Sequence, residues 1–224
     1  MGSSRFPGKM AADLAGYPVI DWVMTRSKQS QLLEKIILAT STLPENDYLI
    51  DRAKHNSISS YRGSENNVLS RFIDVARKEN ANVIARICAD NPFISGSEID
   101  RIIDMFLREK PDYAFNHIPS MGNDYVDGIG IEIISLEALS IIAKKAVSAI
   151  HLEHVTKYLW DNKNNFNIQT IKAPIELAFP NLSLDVDTKE DLLYLNKLLN
   201  EAQSWRTPED VSIRDIVRIA RLIK

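Results

Sequence analysis

The chain has 224 residues, 45% hydrophobic and 25% charged, which is enough for one well-buried core within the ordinary globular range. Its 27 Lys and Arg against 30 Asp and Glu leave a net charge of -3 with no strongly basic region, which argues against nucleic acid as the main partner. The single cysteine, Cys88, excludes an internal disulfide, His55, His117, His151 and His154 lack zinc spacing, and there is no apolar run of spanning length, so no membrane partner and a cytoplasmic setting are expected.

The chain opens on a small, polar stretch, Met1 to Lys9, reading MGSSRFPGK. Small residues let backbone N–H groups approach a polyphosphate, and Arg5 and Lys9 can neutralise it; taken alone the signal is weak, since most short Gly/Ser/Pro runs are plain turns or tags. A helix is predicted from about Pro18 to Lys28, with Val19, Ile20, Val23 and Met24 on one face. Lys35 to Thr40 is too short and too apolar for anything but a buried strand. Pro44 opens a helix to about His55, Ile58 to Tyr61 makes a strand, and the turn from Arg62 to Asn67 leads into a helix to about Glu79. Asn82 to Ala89 is the next strand, and it ends at Asp90.

Ser97 is the expected N-cap of a helix to about Lys110, closed by Pro111. From Asp112 to Ser135 the pattern changes: a strand at Tyr113 to Asn116, a polar stretch holding Asp124, Asp127 and Gly128, then alternation at Ile129, Ile131 and Ile133. Period-two alternation predicts a strand with one exposed face, within a small, partly antiparallel excursion. Helices at Leu136 to Val147 and His151 to Asn162 follow, then strands at Phe166 to Ile171 and Leu182 to Val186. Thr188 caps a helix to about Glu201, and Thr207-Pro208-Glu209-Asp210 opens a last helix with a stripe at Ile213, Ile216, Val217 and Ala220, read as packing or dimer surface. The largely βαβα order predicts an α/β fold, a mostly parallel sheet flanked by helices, with one domain over 1–202 and a helical extension over 203–224.

Chemistry concentrates at strand ends. Asp90 closes one apolar strand, and Asp185 and Asp187 close another in Asp-Val-Asp-Thr-Lys-Glu-Asp. Singly, each acid reads as a cap or turn residue. Parallel strands would bring their carboxyl ends and the basic loop to one edge, where carboxylates and cations suit a magnesium nucleotide. Cys88 lies within a strand and reads as inert packing, as do Trp22, Trp160 and Trp205.

Six motifs in one order carry a resemblance: GSSRFPGK, Ala39-Thr-Ser41, Tyr61 to Leu69, Arg86-Ile-Cys-Ala-Asp-Asn-Pro-Phe-Ile94, Glu153-His-Val-Thr156 and Asp185 to Leu192. From Met1 to about Leu199 the series resembles the cytidylyltransferase family, which activates sugar acids as CMP-sugars, and most closely the branch named for spore coat polysaccharide biosynthesis protein F. The resemblance implies a Rossmann-like nucleotidyltransferase fold, CTP and a sugar acid as partners, Mg²⁺, and a homodimer. It places Gly2, Ser3, Ser4, Arg5 and Lys9 in the phosphate loop and Arg62, Gly63 and Ser64 near the nucleotide pocket. Asp90 and Asp187 fall at its metal-binding positions, with Arg5, Lys9 and Asp90 as the catalytic set. Tyr125, Asp127, Glu132 and His154 fall on the sugar side.

Two departures stand out. The family's first strand, which precedes the phosphate loop, is missing before Met1, and an incomplete start is the favoured explanation. Ala89 stands where the branch has glycine. The competing expectations are a glycosyltransferase using Asp185 and Asp187 for its metal, and a non-catalytic binding module.

Overall fold

The structure, a computed structural model, describes residues 5–117, 121–202 and 205–223. Gly2, Ser3 and Ser4, expected in the phosphate loop, lie outside the described residues. A short hairpin, β1 (Asp13–Leu14) and β2 (Tyr17–Pro18), feeds α1 (Val19–Ser27). The first parallel unit is β3 (Ile37–Ser41), α2 (Asp47–His55) and β4 (Ser59–Gly63), in register from Ile37 opposite Ser59 to Ser41 opposite Gly63. Pro44 opens a separate 3-10 turn before α2 rather than the helix itself.

Next come α3 (Val68–Lys78), β5 (Val83–Ile87), α4 (Gly96–Glu109), β6 (Tyr113–Phe115), β7 (Ile131–Ser135) and α5 (Leu136–Lys145). Local chemistry sets their ends. Asn67 Oδ1 accepts the Ser70 amide at 2.8 Å to cap α3, and Ser135 Oγ accepts the Ala138 amide at 3.0 Å to cap α5. The cap position of α4 falls on Ser95, two residues before the expected Ser97, and Ser95 makes no side-chain cap bond; the two hydroxyls bond each other. Lys110 ends α4 in the left-handed region at φ 50°, just before Pro111.

The predicted helix from His151 to Asn162 is two short ones, α6 (Ala149–Glu153) and α7 (Lys157–Asp161), broken at His154 to Thr156. After β8 (Ile168–Thr170) come α8 (Lys189–Glu201), started by a reciprocal capping box between Thr188 and Asp191, and α9 (Ile213–Ile223). The capping box at Thr207 and Asp210 closes a 3-10 turn rather than starting the last helix.

Four strands form one mixed sheet in the order β5-β7-β6-β8, with β7 antiparallel to both neighbours and β6 parallel to β8. The antiparallel departure expected from the alternation therefore lies inside the main sheet. Its consequence is that β7 has no exposed face: Ile131 and Ile133 pack under α1 and α4, Ile134 packs under α3 and α5, and the polar position between them is the buried Glu132. Among the described residues β3 and β5 each pair on one side only, so β3 and β4 form a separate two-stranded sheet.

A second core joins Trp22, Phe93, Tyr125, Leu182, Leu184 and Val186 to the apolar sides of α8 and α9. The stripe Ile216, Val217 and Ala220 is fully buried there, so α9 packs into the body that carries Asp90 and Asp187. Arg26, also buried, fastens it: its Nε donates to Ile94 O at 2.8 Å and its Nη1 to Pro208 O and Val211 O at 2.8 and 2.7 Å. Among the described residues no helix is long and apolar enough to cross a membrane.

Candidate functional site

Asp90 sits in the turn that follows β5, where the strand's carboxyl end meets the loop to α4. Its backbone oxygen accepts the Val186 amide at 2.9 Å, which draws the segment from Leu182 to Asp187 alongside. That segment, predicted as a strand, is extended but joins no ladder: a single parallel bridge pairs Ser183 with Asp127. Leu182, Leu184 and Val186 are buried while Ser183, Asp185 and Asp187 turn outward, so the period of two survives without the sheet. Gly128 permits this docking, since it has φ +81° and a Cβ there would overlap the backbone of Leu184 and Asp185.

The basic loop reaches the same point. Phe6 is buried and anchors it, Gly8 takes φ +75°, and Lys9 begins a 3-10 turn. The Lys9 ammonium donates to Asp90 Oδ2 at 2.8 Å and to Asp187 Oδ1 at 3.0 Å. Arg5 Nη2 lies 2.7 Å from Asp187 Oδ2, its side chain largely exposed. A lysine 7% exposed must be paired to remain charged. Burial alone would lower its pKa, but Asp90 and then Asp187 outweigh burial and hold it above the ordinary lysine value.

Arg5, Lys9, Asp90 and Asp187 are thus brought together. Asp185 faces elsewhere: its Oδ1 accepts the Ser183 hydroxyl, and burial, with Asp127 nearby, raises its pKa. Arg62 spends its guanidinium on Ser41 O, Leu43 O and Asp47, bracing the loop after β3, while Gly63 ends β4 and Ser64 Oγ accepts the Asn67 amide.

Tyr125 is fully buried, with its hydroxyl held by Glu98 at 2.6 Å and Arg101 at 2.7 Å. Asp127 is exposed and caps its own turn through the Gly128 amide. His154 is exposed at the break between α6 and α7. Glu132 is buried in a set of bonds from Arg86, Tyr113 and Thr156. Cys88 lies just past β5, and burial pushes its thiol up to about 11, so it is inert at neutral pH.

Sequence reasoning gives Arg86, Thr156 and His117 no role of their own, although the first two stand inside its motifs, and it places Gly128 only in the polar stretch. A signal existed for the first: Arg86 and Glu132 each interrupt an apolar strand, and the antiparallel register pairs them.

Among the described residues no three of His, Cys, Asp and Glu converge on one point. Asp90 and Asp187 do converge as a pair, on the point held by the Lys9 ammonium. Two hard oxygen donors suit Mg²⁺, which is bound through one or two carboxylates and completes its shell with water and phosphate oxygens.

The sequence matches the cytidylyltransferase family over residues 1–204. It is 29% identical to spore coat polysaccharide biosynthesis protein SpsF of Bacillus subtilis, covering 98% of this chain and 90% of that protein. It is 28% identical to 3-deoxy-manno-octulosonate cytidylyltransferase of Bdellovibrio bacteriovorus, covering 89% of this chain and 94% of that one. Among solved structures, a cytidylyltransferase from Leptospira borgpetersenii superposes with a TM-score of 0.89 at 26% identity, over 100% of this chain and 91% of its own.

Proposed function

Because the chain belongs to the cytidylyltransferase family, we propose that it transfers CMP from CTP to a hydroxyl of a sugar acid, releasing pyrophosphate, in the making of a surface polysaccharide or glycan precursor. The observation that carries this reading is the Lys9 ammonium set between Asp90 and Asp187, with Arg5 on the second acid. A triphosphate needs that combination of cations and metal-binding carboxylates at one point.

In the proposed reaction the acceptor hydroxyl loses its proton to solvent and its oxygen forms a bond to the α-phosphorus of CTP, while the bond from that phosphorus to the bridging β-phosphate oxygen breaks, its electron pair leaving with pyrophosphate. Asp90 and Asp187 would hold Mg²⁺, which when bound supplies charge neutralisation on the phosphates. Lys9 and Arg5 are the cations that compensate the negative charge growing on the leaving group. Positioning and charge carry such a step without a covalent enzyme intermediate, consistent with the inert Cys88. A homodimer and a cytoplasmic setting belong to the same proposal.

Two measurements test it together: calorimetric titration of CTP with and without Mg²⁺, and pyrophosphate release from CTP with octulosonic and nonulosonic acids. CTP binding strengthened by Mg²⁺ and acid-dependent pyrophosphate release are expected, and Asp90→Asn should lose turnover by about 10³-fold or more at a temperature where it remains folded, with Lys9 still paired to Asp187. Transfer or hydrolysis of nucleotide sugars with no pyrophosphate from CTP would overturn the reading.

A further inference from the structure

Charged residues inside apolar strands need a reason to be there. Arg86 lies on β5 directly opposite Glu132 on β7, and its Nη1 donates to Glu132 Oε2. Glu132 is 3% exposed and its other oxygen is also taken, by the Tyr113 hydroxyl and by Thr156 Oγ1 at 2.8 Å. That carboxylate faces inward on every side and has little left to offer a substrate. It is a brace for Arg86.

Arg86 itself is not used up. Its side chain is 28% exposed, and the guanidinium carries five N–H donors, of which Glu132 receives from one nitrogen only. Among the described residues Nε and Nη2 have no acceptor, and neither is a buried unpaired atom, so they are open to a ligand. Nε and one Nη form the side-on fork that matches a carboxylate.

The place of this fork gives the ligand. Arg86 is the next-to-last residue of β5, four residues before Asp90, and the register sets it opposite Glu132 on β7. The fork therefore stands at the carboxyl end of β5, the end that leads into the turn carrying Asp90 and the edge where open α/β sheets bind ligands. With Glu132 already bonded to it, and taking up part of its charge, the fork suits a planar monoanion better than a multiply charged phosphate.

We propose that Arg86 receives the carboxylate of the acceptor through Nε and Nη2, with Glu132, Tyr113 and Thr156 holding the guanidinium in place. The identity of the acceptor as a sugar acid rests on the cytidylyl-transfer reading. Arg86 then sets specificity for acids over neutral sugars.

The test is binding of 3-deoxy-manno-octulosonic acid and N-acetylneuraminic acid, each as free acid and as carboxamide, followed by calorimetry and by fluorescence of Trp160, which packs on Tyr113 and Phe115. The wild type should bind at least one acid about 30-fold or more tighter than its amide. Arg86→Lys keeps a cation opposite Glu132 but loses the fork; acid affinity should fall about 10- to 100-fold, the acid-to-amide ratio should approach one, and CTP affinity should be unchanged. Arg86→Gln with Glu132→Gln gives a second, uncharged version of the same test should the lysine variant not fold. An acid preference surviving in either variant overturns the assignment, as does a wild type that binds no acid or binds acids and amides alike. Acid binding through Arg86 without any CTP binding would instead remove the cytidylyl-transfer reading and leave the carboxylate site standing.

Discussion

The Lys9 ammonium stands between Asp90 and Asp187, 2.8 Å from one carboxylate and 3.0 Å from the other. One cation therefore joins the loop after β5 to the loop before α8, at the point a divalent cation would take. Removing it leaves two acids facing each other. For Lys9→Met we expect a loss of about 1–2 kcal/mol in metal-free buffer, because the pair is only partly screened by solvent. Added Mg²⁺ should restore more stability to the variant than to the wild type, since it replaces the missing charge. Thermal melts with chelator and with Mg²⁺ check this; equal restoration in the two proteins would show that the acids do not form a cation site.

Acid sensitivity should arrive in two stages. His117 has its pKa lowered below 6.5, by burial first, with Glu132, Arg86 and Asp127 as its charged surroundings. The unfolded chain then takes up a proton as pH falls through 6.5 before the folded protein does, so stability is present above that value and declines below it. For Glu132, burial would raise the pKa, but Arg86, then His117 and Tyr113, outweigh burial and lower it below 4.5. Its contribution is complete above 4.5 and is lost as pH falls through the folded value. Urea midpoints measured from pH 8 to 3.5 should show both stages. His117→Gln should flatten the upper one, and Glu132→Gln should cost about 2–3 kcal/mol at pH 7 while shrinking the lower one. An unchanged upper stage in His117→Gln would assign it to another group.

Much of this architecture is legible in the sequence because its signals are local. Asn67, Ser135 and Thr188 cap helices as their residue types demand, and the apolar stripes of α3, α4 and α9 face their cores. The convergence of Arg5, Lys9, Asp90 and Asp187 is expected from strand ends sharing an edge and from a family resemblance; the four do meet, although the segment carrying Asp187 arrives without a ladder. What failed was non-local. The alternation in β7 is compatible with an exposed face, and only the helices packed on both sides decide that Glu132 is buried. Leu182 to Val186 has the period of a strand but lies beside Asp127 and Asp90 instead of a ladder partner, which no pattern within the segment can reveal. Arg62, expected near the nucleotide pocket, also braces the loop after β3 through Ser41 O, Leu43 O and Asp47, a set of bonds that no local pattern reveals.

Gly128 shows how far from the acids their placement is decided. It sits at φ +81°, where an L side chain is strained, and its missing Cβ leaves room for the backbone of Leu184 and Asp185. Next to it, Asp127 exchanges backbone bonds with this segment, giving its amide to Leu182 O at 3.0 Å and taking the Leu184 amide at 3.1 Å. A methyl group at Gly128 cannot be accommodated by rotating a side chain, because the atoms it meets are backbone. Gly128→Ala should therefore push the segment from Leu182 to Asp187 away from Asp127 and spoil the alignment of Asp187 with Asp90 and Lys9. We expect a stability loss of about 2–4 kcal/mol from strain and broken backbone bonds. Mg²⁺-dependent CTP affinity should fall by more than tenfold at a temperature where the variant remains folded. Gly122→Ala is the matched control: φ is +79° there too, but nothing lies within 4 Å of the added atom. It should lose only about 1 kcal/mol and leave CTP binding intact. Equal effects of the two substitutions would mean that backbone strain, and not the docking of Leu182 to Asp187, accounts for the loss.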